Sequence, residues 1–215
     1  MAILTDLIRD LEPSLRHLRV HDRSHSINVL PAITPVLGNL VYLELSVSAS
    51  NSGMNASAVV EAILCHDSPL ETLGLGLPSF RDSLPWPSVH FRTYAHALPQ
   101  LRNFAFHFVR YTLHDRDILP AISEFLQGRP HLESLELIDD YDDHTGFHSN
   151  DWSFLSSLPR LRRLAMIVPD GFPMHQAAGL IPRTVRSLGL SGYGAYAWFC
   201  TEHLESVRFL KIVRR

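Results

Sequence analysis

The sequence predicts an α/β solenoid: a right-handed β/α horseshoe arc of about eight irregular repeats, one domain over residues 1–215, with a parallel sheet on its concave face. Three regularities carry this reading. A six-residue pattern (apolar, two variable, apolar, one variable, apolar) returns eight times along the chain. Proline stands shortly before six of the copies. Apolar residues at helical spacing fill most of the intervals.

The pattern begins as Leu15, Leu18 and Val20, and continues as Leu40, Leu43 and Leu45, then Leu70, Leu73 and Leu75. The middle copies are Leu101, Phe104 and Phe106, then Leu132, Leu135 and Leu137, then Leu161, Leu164 and Met166. The last two are Val185, Leu188 and Leu190, then Leu204, Val207 and Phe209. Successive copies are spaced by 25, 30, 31, 31, 29, 24 and 19 residues. Leucine-rich repeats run about 20–29 residues, so this is a leucine-rich-repeat spacing with long middle units. The inner alternation has the period of two that puts one set of side chains on one face of a strand.

Pro13, Pro69, Pro99, Pro130, Pro159 and Pro182 precede the pattern. Proline ends a helix and lacks an amide donor, which suits the approach to a strand. Between strands, Ala56–His66 places Val59, Val60, Ile63 and Leu64 on one helical face. Asp115–Gln127 does the same with Ile118, Ile122, Phe125 and Leu126, with Gly128 as a C-terminal stop. Phe154, Leu155 and Leu158 form a shorter version; Ala177–Ile181 and Tyr196–Phe199 take the same role further on. One strand and one helix cannot bury their shared apolar face alone, so such units stabilise by stacking.

Three phrases carry a family resemblance: Leu98-Pro99-Gln100-Leu101-Arg102-Asn103-Phe104, Arg129-Pro130-His131-Leu132-Glu133-Ser134-Leu135 and Leu158-Pro159-Arg160-Leu161-Arg162-Arg163-Leu164. The repeats are similar to those of fungal F-box/leucine-rich-repeat proteins. The resemblance implies the leucine-rich-repeat portion of such a protein, a substrate-recognition module. The F-box itself is read as absent, so no link to a ubiquitin-ligase adaptor is carried over. The asparagine that many such repeats place three residues after the last apolar position is missing, which makes these repeats irregular. The first strand begins almost at once and the chain stops after Phe209, Leu210, Ile212 and Val213, so the ends read as lacking full caps.

Composition limits the function classes. A net charge of −3 and a pI near 6.5 give no general affinity for nucleic acid or a membrane surface. The N-terminal stretch has no uninterrupted apolar core for a signal peptide, and no stretch is long enough to span a membrane. Cys65 and Cys200 have no metal or disulfide spacing and read as two small buried hydrophobes in a reducing compartment, cytoplasmic or nuclear.

No catalytic, metal or cofactor motif is found. Gly74-Leu75-Gly76 lacks the third glycine of a dinucleotide loop. Gly189-Leu190-Ser191-Gly192-Tyr193 has tyrosine where a nucleophile elbow needs glycine. The thirteen histidines are scattered, and His144 and His148 lie among turn formers. Asp139, Asp140, Asp142 and Asp143 form an acidic rim patch after the fifth strand, lacking the order of a calcium loop. The expected function is therefore a non-catalytic protein–protein interaction scaffold without cofactors. The alternatives are a truncated or decayed repeat protein with no ligand, or an enzyme of unrecognised type. The partner is a protein or peptide on the concave face, touching Tyr42, Asn103, His107, Glu136, Ile138, Arg163 and Ile167. Small residues let a partner backbone approach there, while aromatic and arginine side chains anchor it.

Overall fold

The computed structural model describes residues 6, 8, 10–11, 13–22, 30–47, 55–76, 86–108, 117–139, 149–167, 179–191 and 205–213. Its strands are β1 (His17–Asp22), β2 (Tyr42–Val47), β3 (Thr72–Gly76), β4 (Asn103–Phe108), β5 (Ser134–Asp139), β6 (Arg163–Ile167), β7 (Ser187–Ser191) and β8 (Phe209–Val213). All eight form one sheet in chain order, every neighbouring pair parallel. Between them lie α1 (Leu30–Ile33) with a 3-10 turn (Thr34–Asn39), α2 (Ala56–Cys65), α3 (Pro87–Thr93), α4 (Ile118–Gln127) and a 3-10 helix (Ser149–Ser157). Each helical element packs on the next.

The apolar pattern explains the layering. Leu43, Leu73, Phe104, Leu135, Leu164 and Leu188 form one buried ladder, in register strand by strand. Leu45, Leu75, Phe106, Leu137, Met166 and Leu190 form a second, two residues on. The first apolar position of each copy, from Leu40 to Val185, is buried beneath the approach to its strand. Each full burial of a leucine stabilises by about 2 kcal/mol relative to exposure. The helices pack on this same face, leaving the opposite face open.

The strand approach has its own repeated geometry. Leu101 N donates to Leu98 O, Leu132 N to Arg129 O and Leu161 N to Leu158 O, so Pro99, Pro130 and Pro159 each occupy the second place of a four-residue turn. Leu98 opens its turn with a positive φ of 54°. Ahead of each strand from β1 to β7, one carbonyl then accepts two successive amides from the next unit. Glu71 O takes Arg102 N and Asn103 N; Arg186 O takes Arg208 N and Phe209 N. These shared carbonyls fix the register of the whole stack.

The last copy is corrected by three residues. Phe209, not Ser206, pairs with Ser187, and Leu210 and Ile212 continue the two core ladders beside Leu188 and Leu190. The working triplet is Val207, Leu210 and Ile212, so the final spacing is 22 rather than 19 residues. Phe209 consequently lies on the open face and is 71% exposed.

Helix placement follows local signals. Asn55 Oδ1 accepts from Ala58 N at 3.0 Å, capping α2. Pro87 sits in the first turn of α3, where its missing amide costs nothing. α3 carries Phe91 into an aromatic cluster with Phe104, Phe106 and Phe125, at ring-centroid distances of 6.2, 6.0 and 5.3 Å. α4 ends at Gly128 as expected, but with φ −76°, so the left-handed freedom of glycine is not what stops it. Gly179 and Leu180 form a turn rather than the expected helix. Tyr196–Phe199 lies outside the described residues. Ahead of β1, Asp6, Ile8, Asp10 and Leu11 are helical and Ile8 is buried in the core.

Three side chains on the helical side were not foreseen. Arg129 is 2% exposed; its Nη2 donates to Ala95 O at 2.9 Å and to Ala97 O, and its guanidinium stacks 4.2 Å over the Phe125 ring. Burial pushes its pKa down to about 10, so it remains charged at neutral pH. Ser57 and His90, both buried, share a 2.8 Å hydrogen bond between α2 and α3. Cys65 is exposed, correcting the expectation that it is a buried hydrophobe.

Candidate functional site: the open face of the sheet

Three columns of side chains cross the open face. The first runs His17, Tyr42, Thr72, Asn103, Ser134, Arg163, Ser187 and Phe209. The second runs Arg19, Glu44, Gly74, Ala105, Glu136, Ala165, Gly189 and Lys211. The third includes His21, Ser46, Gly76, His107, Ile138 and Ser191. Strand periodicity alone produces this, since every second side chain turns away from the helices.

The second column shapes the surface. Gly74 and Ala105 make one low floor, and Ala165 and Gly189 make another, with Glu136 rising between them. The floors must stay small. A Cβ on Gly74 would meet Glu44 Cγ at 3.1 Å, and one on Gly189 would meet Ala165 Cβ at 3.2 Å. Over the first floor lies an open groove of about 600 Å³ bounded by Tyr42, Glu44, Asn103, His107 and Arg163. Over the second lies one of about 340 Å³ bounded by Glu136, Ile138, Arg163, Ser187, Ser191 and Lys211. The two share Ser134, Glu136 and Arg163, so they join into one trough along the sheet.

The polar groups along the trough hold each other. His17 meets the Tyr42 ring edge-on at 6.0 Å. Tyr42 donates its hydroxyl to Glu44, and this hydrogen bond, which ionisation would break, holds the Tyr42 pKa above the ordinary tyrosine value, with burial adding to the rise. Arg19 pairs with Glu44 at 3.1 Å. His21 Nε2 lies 2.6 Å from Arg19 Nε and 3.3 Å from Glu44. Arg19, a permanent cation, is thus paired directly with Glu44. Asn103 Nδ2 donates to Thr72 Oγ1 at 2.9 Å, and Arg163 reaches over Ser134 toward Asn103 Oδ1 at 3.4 Å. His107 contacts Glu136 at 3.3 Å, and its hydrogen bond holds the Glu136 carboxyl below the ordinary glutamate value.

The expected contact residues thus assemble as a group. Tyr42, Asn103, His107, Glu136 and Arg163 border the larger groove, and Glu136, Ile138 and Arg163 border the smaller. Ile167 is placed by its backbone alone, opposite Ser191. Sequence reasoning missed Lys211 and Phe209, which the corrected β8 register brings to this face. Of the acidic patch, Asp139 ends β5, whereas Asp140, Asp142 and Asp143 lie outside the described residues, as do His144 and His148. Among the described residues no group of three or more histidines, cysteines or carboxylates could hold a metal ion. No helix among them is long and apolar enough to cross a membrane.

The fold and the face define an α/β protein of stacked strand–helix units around a single parallel sheet. No protein-family model matches the chain, and no curated protein matches it.

Proposed function

We propose that this chain is a leucine-rich-repeat solenoid that works as a non-catalytic protein-interaction module, with the open, concave face of its sheet as the working surface. The observation that carries the proposal is the continuous trough: small floors at Gly74–Ala105 and Ala165–Gly189, with Tyr42 and Arg163 standing over them. A floor without side chains lets a partner's backbone lie close, while tyrosine and arginine supply the anchors that dominate binding energy. The resemblance of the repeat phrases adds the setting, a substrate-recognition module of an F-box-like protein.

The test is an affinity capture from the source cell with the unchanged chain and a Tyr42→Ala/Arg163→Glu double variant, both first checked for equal thermal melting. A partner held by the first and lost by the second is the expected result. Equal recovery from both would move the contact to the rim or the helical side and overturn the proposal.

A further inference from the structure

The net charge of −3 conceals a division. Residues 158–215 carry nine arginines and lysines against three aspartates and glutamates, so the preceding part of the chain is strongly acidic. Among the described residues, part of this excess lies at one end of the sheet. Arg162, Arg186 and Arg208 hold the same place ahead of β6, β7 and β8. Arg162 O accepts from Arg186 N, and Arg186 O accepts from Arg208 N. They are therefore consecutive rungs, about 4.8 Å apart. The equivalent rungs ahead of β3, β4 and β5 are Glu71, Arg102 and Glu133, where Arg102 sits 3.7 Å from one carboxylate and 3.5 Å from the other. No carboxylate rung interrupts the three arginines.

The smaller groove begins one residue further along the strands, on the open face, whereas the row lies at the rim, where Arg162 and Glu133 border a separate depression. Arg163 on β6 and Lys211 on β8 border the groove diagonally across β7, two strands and two residues apart, a backbone separation of about 12 Å from ordinary strand spacing and rise. Between them Gly189 has no side chain, and Ser187 and Ser191 place hydroxyls before and after it on the same face. The one carboxylate on the groove, Glu136, is hydrogen-bonded by His107 and also attracts Lys211, so a ligand carboxylate over Gly189 would share Lys211 with it. Two cations and two hydroxyls thus surround an empty floor.

We propose that the β6–β8 end of the open face binds an extended acidic peptide segment. One ligand carboxylate seats over Gly189 between Arg163 and Lys211, accepting hydrogen bonds from the hydroxyls, while neighbouring carboxylates meet the arginine row. This names the partner class for the interaction surface proposed above and rests on that reading. A peptide fits better than nucleic acid on two grounds. The basic end spans only three strands, too short for the long phosphate track that dominates nucleic-acid affinity. The one exposed ring at this end, Phe209, stands beside the groove rather than in its lining and is a single platform, where single-stranded nucleic acid stacks successive bases on several.

The experiment uses the full chain and fluorescence anisotropy with three labelled probes: a ten-residue peptide with glutamate at alternate positions, the same peptide with glutamine, and a ten-nucleotide single-stranded DNA. The glutamate peptide is expected to bind at least tenfold tighter than the glutamine peptide, and to weaken as salt rises. Arg163→Glu/Lys211→Glu and Ser187→Glu should each cost at least tenfold while circular dichroism and melting stay unchanged. Arg16→Glu, at the far end of the sheet, should leave the affinity within twofold. Equal binding of the two peptides, or full affinity in both groove variants, would overturn the proposal, as would tighter binding of the DNA than of the glutamate peptide. If the glutamate peptide fails while Tyr42→Ala still abolishes partner capture, this inference alone falls. If the peptide binds as expected but no captured partner depends on Tyr42, the wider trough reading falls instead.

Discussion

Phe91 is the point at which removal of one side chain should weaken the stack most. It is fully buried on α3 and makes edge-on contacts with Phe104 and Phe106 of the sheet and Phe125 of α4. It therefore joins two consecutive units through three elements, α3, β4 and α4. A Phe91→Leu change keeps much of the buried volume but loses three aromatic pairs, each worth about 0.5–1.5 kcal/mol beyond area burial. Partial compensation by leucine contacts puts the expected loss near 2 kcal/mol. Phe91→Ala adds a cavity and should cost about 3–5 kcal/mol. Val89 on the same helix is 45% exposed, so Val89→Ala should cost under about 0.5 kcal/mol. Urea denaturation followed by far-ultraviolet circular dichroism resolves these values. With a slope of about 3 kcal/mol per molar, the alanine variant should unfold more than 1 M earlier than the parent. If Phe91→Ala lost less than about 1 kcal/mol, or no more than Val89→Ala, the cluster would not be a packed joint and the reasoning would fail.

Three more perturbations follow from particular groups. Arg129→Met, which keeps the apolar stem but leaves the Ala95 and Ala97 carbonyls without their donor, should cost about 1–2 kcal/mol, and Arg129→Ala about 3 kcal/mol, in the same denaturation assay; a Met variant more stable than the parent would show that the guanidinium contributes nothing. Because its folded pKa lies near 10, below the ordinary arginine value, the burial cost of the charge is present at neutral pH and is relieved only as pH rises through and above 10. Glu136 behaves oppositely: its folded pKa is depressed, so the stability it lends is present above the ordinary glutamate value and lost as pH falls through the lower folded one. In His107→Ala the Glu136 side-chain carboxyl signal should titrate at higher pH by NMR, and an unmoved midpoint would rule out the His107 hydrogen bond as the cause. Cys65 should be alkylated in the native protein by iodoacetamide, as read by peptide mass mapping; labelling seen only in urea would contradict its exposure.

The register of seven strands was legible because the three apolar positions of each copy do different jobs. The first lies under the strand approach and the other two alternate into the core, so a one-residue slip would have exposed both ladders. The eighth copy was ambiguous for a specific reason. Leu204, Val207 and Phe209 satisfy the pattern, and so do Val207, Leu210 and Ile212. Only the unusually short 19-residue spacing favoured the second frame. That error hid Phe209 and Lys211 from the open face, and with them the basic end of the trough. α3 was overlooked because Pro87 and the polar Ser88 and His90 occupy its buried face and break the apolar helical pattern, although Trp86-Pro87 marks a helix start. The role of Arg129 was not readable either. An arginine beside a proline turn looks solvated until the preceding unit presents its carbonyls to it.

The chain-order sheet has a mechanical consequence. Because every strand touches only the strands before and after it in sequence, contacts are local along the chain, and the molecule behaves as a nearly one-dimensional array whose units interact with their nearest neighbours. Tension applied at the two termini loads those junctions in series rather than in parallel. The stack should then part at its weakest junction and peel from there unit by unit, lengthening in steps of some 20–30 residues instead of rupturing at once.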